Sequence, residues 1–234
     1  MRTSERYAGY ELLAHEYYDP ILHPTSANFR AASESLLRSC LPETSQRNVL
    51  DAGAGRSLVA ELMLQEHQTL QDLVALDSSP HMLSFSNGFR SRGIGLLLGD
   101  CRRMPLSDES FDIVVSILGD PYNGREFWRE VRRVLEPGGV AIFTTPAYDW
   151  AVAFRSATAL DVAEFVLVDD TQLQTPSFVY PNRRQRELIE AEGLLIKEVL
   201  EVPIAAASEP HSPKLLDSRG PNAPIVTGYV ATKG

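Results

Sequence analysis

Three aspartates close or follow apolar runs in the first half of this chain. Asp51 ends VLD, Asp77 ends LVALD, and Asp100 follows LLLG. A carboxylate is an acceptor-only group, suited to binding hydroxyl, amino or ammonium groups at a strand end. After Asp51 the chain continues Ala52-Gly53-Ala54-Gly55-Arg56-Ser57. Its two glycines permit positive φ and let a ligand approach the backbone without a Cβ in the way. A carboxylate two residues ahead of the first glycine would repel a diphosphate. Leu58 also stands where a dinucleotide fingerprint wants its third glycine. The same negative charge suits a ligand that carries an ammonium group and a sulfonium.

Such carboxylates need a sheet to place them, and the sequence supplies one. Short apolar runs at 48–52, 73–77, 94–99, 111–117 and 139–145 alternate with helix-like segments, the pattern of a parallel sheet covered by helices on both faces. All five runs are expected to be buried strands. Helices are expected after Ser57 and from Arg125, where Phe127, Val131, Val134 and Leu135 share one face and Pro137-Gly138-Gly139 stops the helix. Residues 147–181 show no clean period and read as an insertion over the carboxyl edge of the sheet. A helix over 182–192, ended by Gly193, precedes two last strands, LLIKEVLEV and APIVTGYVAT, with the stretch 206–221 between them read as a solvated loop. Residues 1–45 form a helical preface in which Tyr10, Ala14 and Tyr17 share a face, a stripe read as core packing. The division expected is a preface over 1–45 and a ligand-binding domain over 46–234.

Bulk properties narrow the function classes. The chain has 234 residues, 44% of them hydrophobic and 23% charged, the composition of an ordinary globular domain. A formal net charge of −9 disfavours broad nucleic-acid binding, which needs a basic field. Arg183, Arg184 and Arg186 are the one dense basic cluster and read as a solvated helix start. No apolar run reaches the roughly 20 residues that cross a bilayer, and the first residues lack the apolar core of a secretion signal. Cys40 and Cys101 lie in unrelated contexts and the histidines are scattered, so no metal site is expected. The location expected is cytoplasmic, with no membrane association and a monomer or homodimer.

The stretches VLDAGAGRS, LVALDSSPHML, LLLGDCRRMPLSDESFDIVVS and REVRRVLEPGGVAIFTTP, in that order, resemble the class I S-adenosylmethionine-dependent methyltransferases, in the style of small-molecule enzymes of quinone biosynthesis. The resemblance spans about 48–146. It implies a Rossmann-like α/β fold: a seven-stranded, mostly parallel sheet with helices on both faces. It also implies S-adenosylmethionine as cofactor and a small-molecule methyl acceptor. On this resemblance Gly53 and Gly55 flank the methionine part of the cofactor, and Asp51 lies near its amino group. Asp77, with Ser78 beside it, takes the ribose hydroxyls. Asp100 and the backbone of Cys101 take the adenine, Met82 packs on its face, and Ser116 to Leu118 border the methyl group. The third glycine usual in the family is Ser57 here, a change that serves if its hydroxyl caps the helix.

Each carboxylate has a plainer reading, Asp77 as a helix cap and Asp100 as a turn residue. Their joint placement at successive strand ends favours the ligand. Tyr17 and Tyr18 could face the sulfonium, since aromatic faces attract cations. For proton transfer the candidates are His23 and His15 in the preface, and Asp120 and Tyr122 in GDPYN. That segment faintly resembles the Asp-Pro-Pro-Tyr motif of amino-group methyltransferases, and reads equally well as a turn. The function expected is methyl transfer to a small organic acceptor. The alternatives are a cofactor-binding regulatory protein that resembles such enzymes, or an RNA methyltransferase.

Overall fold

The computed structural model describes residues 9–156, 159–207, 210–216, 220 and 222–234. After a helical turn at 9–13 come α1 (Pro24–Cys40), β1 (Val49–Ala52), α2 (Leu58–Gln65), β2 (Leu73–Asp77), α3 (Pro80–Ser84), β3 (Gly95–Leu98) and β4 (Phe111–Ser116). There follow α4 (Arg125–Val134), β5 (Leu135–Pro146), α5 (Tyr148–Ala153), β6 (Val162–Val166), β7 (Gln172–Pro176), α6 (Asn182–Glu190), β8 (Leu194–Pro203), α7 (Pro213–Leu216) and β9 (Pro224–Lys233). No described helix is long and apolar enough to cross a membrane.

Seven strands form one sheet in the order β3-β2-β1-β4-β5-β9-β8. The first five pair in parallel, and β9 pairs antiparallel with both β5 and β8. The order reverses between β1 and β4, the switch point beside which α/β sheets bind ligands at their carboxyl ends. Alternating side chains fill the two faces: Val49, Ile113 and Val115 pack with α1 and α2, whereas Leu50, Ala52 and Val114 pack with α4 and α6. The second face holds an aromatic cluster of Phe127, Trp128, Phe143 and Tyr229, each about 1% exposed. On the first face α1 lies so close to β9 that a Cβ on Gly228 would collide with Leu36. Thus α1, although in the preface, belongs to the same core as the sheet.

Several expectations are corrected. β3 is not a buried strand: it lies at the sheet edge and Leu98 is 56% exposed. An apolar run reads the same at an edge as at the centre, since periodicity carries no neighbour information. Pro137-Gly138-Gly139 does not stop α4, because Leu135 is already extended and pairs with Phe111. Those residues instead form an irregularity inside β5, the next pair being Ile113 with Val140. The segment 147–181 is not featureless, since it contains α5 and the antiparallel hairpin β6–β7. Within 206–221 the described residues include α7, and 208–209, 217–219 and 221 lie outside the described residues.

The segment GDPYN binds these parts together. Asn123 is fully buried; its amide donates to Phe178 O and Gln185 Oε1 at 2.9 and 2.7 Å, and its oxygen accepts from Trp128 Nε1 and Gln185 Nε2 at 3.0 and 3.1 Å. Replacement by alanine leaves an indole N–H and a glutamine amide buried without partners. Each such group costs about 1–3 kcal/mol, so Asn123→Ala is expected to destabilise the fold by roughly 2–4 kcal/mol. Urea titration followed by fluorescence measures this, and a loss below about 1 kcal/mol would mean that water replaces the network.

Candidate active site

The local sequence sets up the glycine turn. β1 runs to Ala52, after which Gly53 and Gly55 take φ values of +73° and +46°. Ser57 caps α2, its hydroxyl accepting from Ala60 N at 3.0 Å. The same hydroxyl donates to Asp51 at 2.7 Å, so serine in place of a third glycine both starts the helix and holds the carboxylate. The second acidic position is also built locally. Asp77 accepts from Gly55 N at 2.8 Å and Ser79 N at 2.9 Å. It is not the helix cap; Ser79 is, through its bond from Met82 N.

Around these groups lies a cavity of about 740 Å³ at the carboxyl ends of β1, β2 and β4, with α1 and residues 10–18 on the other side. It gathers most of the expected binding residues: Tyr17, Tyr18, Asp51, Gly53, Asp77, Ser78, Met82, Asp100, Cys101, Leu118 and Tyr122. Tyr10 and Tyr17 line it too, so the aromatic stripe of the preface faces the cavity as well as the core. Gly55 lies under the Tyr18 ring, where a Cβ would collide with the tyrosine hydroxyl. A Cβ on Gly53 would likewise collide with the Tyr122 hydroxyl. Ser116 stands behind Tyr122, the two hydroxyls 2.9 Å apart.

Three of the proposed proton-transfer residues, His23, Asp120 and His15, lie outside the cavity lining. His23 is 7% exposed and its Nε2 is 2.8 Å from Glu16 Oε1. Asp120 is 6% exposed and accepts from the Ser177 hydroxyl, while its backbone carbonyl accepts from Phe178 N at 2.8 Å. These contacts dock the end of the β6–β7 hairpin against the β4 loop. His15 stacks edge-on against His81, with ring centres 4.2 Å apart. Of the proton-transfer candidates, Tyr122 alone lines the cavity; its hydroxyl donates to Ala52 O at 2.7 Å.

The sequence did not single out Arg30. On α1 it lines the cavity, donates to the Arg56 carbonyl and to Glu61 at 2.9 Å each, and lies 5.6 Å from the centre of the Tyr18 ring. Its one sequence signal is weak, the spacing Ser26-Arg30-Glu34 along a helical face. Glu11 and Arg102 were missed as well. Glu11 ties the preface to the Ser79 hydroxyl, and Arg102 clamps Asp100, with its Nη2 2.7 Å from Oδ2.

Electrostatics follow from burial. Desolvation pushes Asp51 up to about 6, against the Ser57 bond and the Arg30 charge. Asp77 is raised too by burial, opposed by the amides of Ser79 and Gly55. Burial also acts upward on Asp100, but Arg102 outweighs it and holds that carboxyl below its ordinary value. Burial raises the phenols of Tyr10, Tyr17 and Tyr122, and pushes Tyr18 up to about 12. A cavity whose carboxylates are costly to ionise alone is one that a cation stabilises.

With this geometry in place, the comparisons with known proteins bear on the class. Residues 50–143 match a family model described as a methyltransferase domain. The chain is 37% identical over 101 residues to a malonyl-[acyl-carrier protein] O-methyltransferase of Methylococcus capsulatus and 32% identical over 123 residues to one of Marinomonas. The matched segments cover 42% and 51% of this chain but only 36% and 45% of those relatives. An S-adenosylmethionine-dependent methyltransferase from Mesorhizobium loti has the same fold, with a TM-score of 0.64 at 19% identity, over 86% of this chain and 98% of the other. The fold is that of solved S-adenosylmethionine-dependent methyltransferases. The segment that matches the methyltransferase-domain model, residues 50–143, is less than half of this chain, and the chain spans less than half the length of the curated relatives it matches.

Asp51 gives a signed pH prediction. An acid raised in the folded state lends stability that is full below its unfolded value and disappears as pH rises through about 6. Affinity for a cationic donor should move the opposite way and fall as pH drops below about 6, where Asp51 takes up a proton. Calorimetric titration with S-adenosylmethionine between neutrality and pH 5 should show this loss in the wild type and a flatter profile in Asp51→Asn. Identical profiles would remove Asp51 from donor recognition.

Proposed function

We propose that this chain transfers the methyl group of S-adenosylmethionine to a small organic acceptor bound in the cavity beside Tyr17, Leu118 and Tyr122. The observation that carries the reading is the set of carboxylates at the ends of β1 and β2, set around a turn whose two glycines have positive φ. Asp51 is suited to the donor's ammonium group, with Arg30 beside it to balance a carboxylate. Asp77 is suited to the ribose hydroxyls. Met82 and the Cys101 backbone are suited to the adenine, and the rings of Tyr17 and Tyr18 to the sulfonium. When bound, the donor supplies an activated methyl group that passes to a nucleophile in line with the departing sulfur, so the protein's part is alignment and exclusion of water.

The acceptor best suited to this cavity arrives already ionised, as a carboxylate does. A phenol or alcohol would need a base within hydrogen-bond reach. The cavity tyrosines hold their protons, Glu11 is engaged by Ser79 and Glu34 by Arg38, and Asp120 and His23 lie outside the lining. The two relatives named above are called O-methyltransferases of a malonyl group, an acid, and that name supports the same reading.

Two measurements test the proposal. Asp77→Ala should lose about 3 kcal/mol of donor affinity, roughly a hundredfold, from two charge-assisted bonds, together with some thermal stability, since the amides of Gly55 and Ser79 lose their acceptor. Undiminished affinity would contradict the placement of the ribose. Incubation with methyl-labelled donor should convert dicarboxylic half-thioesters or simple carboxylic acids to alkali-labile methyl esters. Labelling of phenols with no ester formed would overturn the ionised-acceptor reading.

A further inference from the structure

β3 ends the sheet, and its outer side is an open pairing edge. Gly99 N–H donates to Asp77 O at 2.9 Å. Because backbone groups alternate in direction along a strand, Leu97 also faces β2, whereas the N–H and C=O of Leu96 and Leu98 face away from it. Among the described residues no strand pairs with that outer edge. Natural edges are commonly blunted by a charge, a proline or a bulge within the strand. This one reads Gly-Leu-Leu-Leu, pairs regularly with β2, and leaves Leu98 56% exposed.

Charge marks both ends of the edge. Arg90 and Arg92 precede it, Arg102 and Arg103 follow it, and the one acid between residues 90 and 103 is Asp100, which is paired with Arg102. In a chain of net charge −9 this is a local basic frame around an apolar pairing strand. We propose that the β3 edge is a docking site for an extended acidic segment of a partner protein, which adds to the sheet as a further strand. Main-chain hydrogen bonds to Leu96 and Leu98 would supply affinity, and acidic residues beyond each end would meet the arginines.

A second copy of this chain is disfavoured as occupant by the same charges. Antiparallel pairing of two β3 edges sets Arg90 and Arg92 of one copy against Arg102 and Arg103 of the other, and does so twice. The inference does not rest on the methyl-transfer reading. It has a consequence for that site, because β3 leads directly into Asp100 and Cys101 of the cavity, and pairing on its outer edge would fix their position.

The test uses the full chain and a synthetic eight-residue peptide with a valine–threonine centre and two acidic residues at each end. Amide hydrogen exchange is followed by NMR. Addition of the peptide should slow exchange at Leu96 and Leu98 by about tenfold or more and leave Leu97, already bonded to β2, unchanged. A peptide of the same centre with lysine ends should give no protection, and the double variant Arg92→Glu, Arg103→Glu should reverse the preference. That variant changes exposed side chains only, and a second, Leu98→Lys, should weaken the protection without altering the fold. Equal protection by both peptides, or none by the acidic one at millimolar concentration, would overturn the proposal. Protection that rises with protein concentration in the absence of peptide would assign the edge to a second copy and overturn it as well.

Discussion

A single tyrosine hydroxyl ties the binding turn to the sheet. Tyr122 reaches back from the segment after β4, donates to the carbonyl of Ala52 at the end of β1, and accepts from Ser116 at the end of β4. It thereby bridges the two strands at the point where the strand order reverses. Its oxygen rests where a side chain on Gly53 would be, so the glycine is required twice: for its positive φ and for the tyrosine. The neighbouring residues anchor the bridge. Asp120 holds Ser177 and Asn123 holds Trp128 and Gln185, which joins the β6–β7 hairpin, α4 and α6 to the same five residues. GDPYN is a structural junction whose one cavity-lining aromatic ring also borders the site.

The second constraint is the cost of the cavity's acids. A carboxylate withdrawn from water is stabilised only by hydrogen bonds or by nearby positive charge. Asp51 receives the Ser57 hydroxyl, a backbone bond from Val59 and the charge of Arg30, Asp77 the backbone amides of Ser79, Gly55 and Ser78, and Asp100 a direct guanidinium clamp. The three therefore differ in readiness. Asp100 is satisfied within the protein, so a ligand's amino group must compete with Arg102, whereas Asp51 and Asp77 are both raised by burial and gain from a ligand cation. This ordering sets the strongest electrostatic demand at the glycine turn, next to the expected ammonium group and sulfonium.

Much of this was legible in the sequence where local rules decide. The strand–turn–helix unit of 48–65 follows from an apolar run, two glycines and a capping serine, all within one short stretch. The carboxyl-end placement of Asp77 and Asp100 follows from strand length. What stayed hidden depended on partners distant in sequence. The direction of Asp120 is set by Ser177, 57 positions away. The reach of Arg30 into the cavity is set by Arg56 and Glu61. The hairpin β6–β7 has the weak alternation VAEFV and QLQTP, and its pairing rather than its composition defines it. The exposure of β3 is a matter of sheet order, to which a run of leucines is blind.

The preface works as two parts with separate roles, and this bears on specificity. α1 is built into the core through Phe29, Leu36 and Leu37, so its cavity face of Ala27, Arg30 and Ala31 is as rigid as the sheet. Residues 9–23 bury Leu13 and Ala14 completely and add polar and aromatic contacts: Glu11 to Ser79, Tyr18 to the Arg56 amide at 2.7 Å, Glu16 to the Val168 amide at 3.2 Å, and His15 to His81. Of these residues, Tyr10, Glu11, Tyr17 and Tyr18 line the cavity. The cavity's aspartates and Arg30 lie instead at the sheet ends and on α1, elements of the packed core. On the proposed methyl-transfer reading, selection of the acceptor would fall to residues 10–18, which border the cavity, and to the hairpin that Glu16 touches.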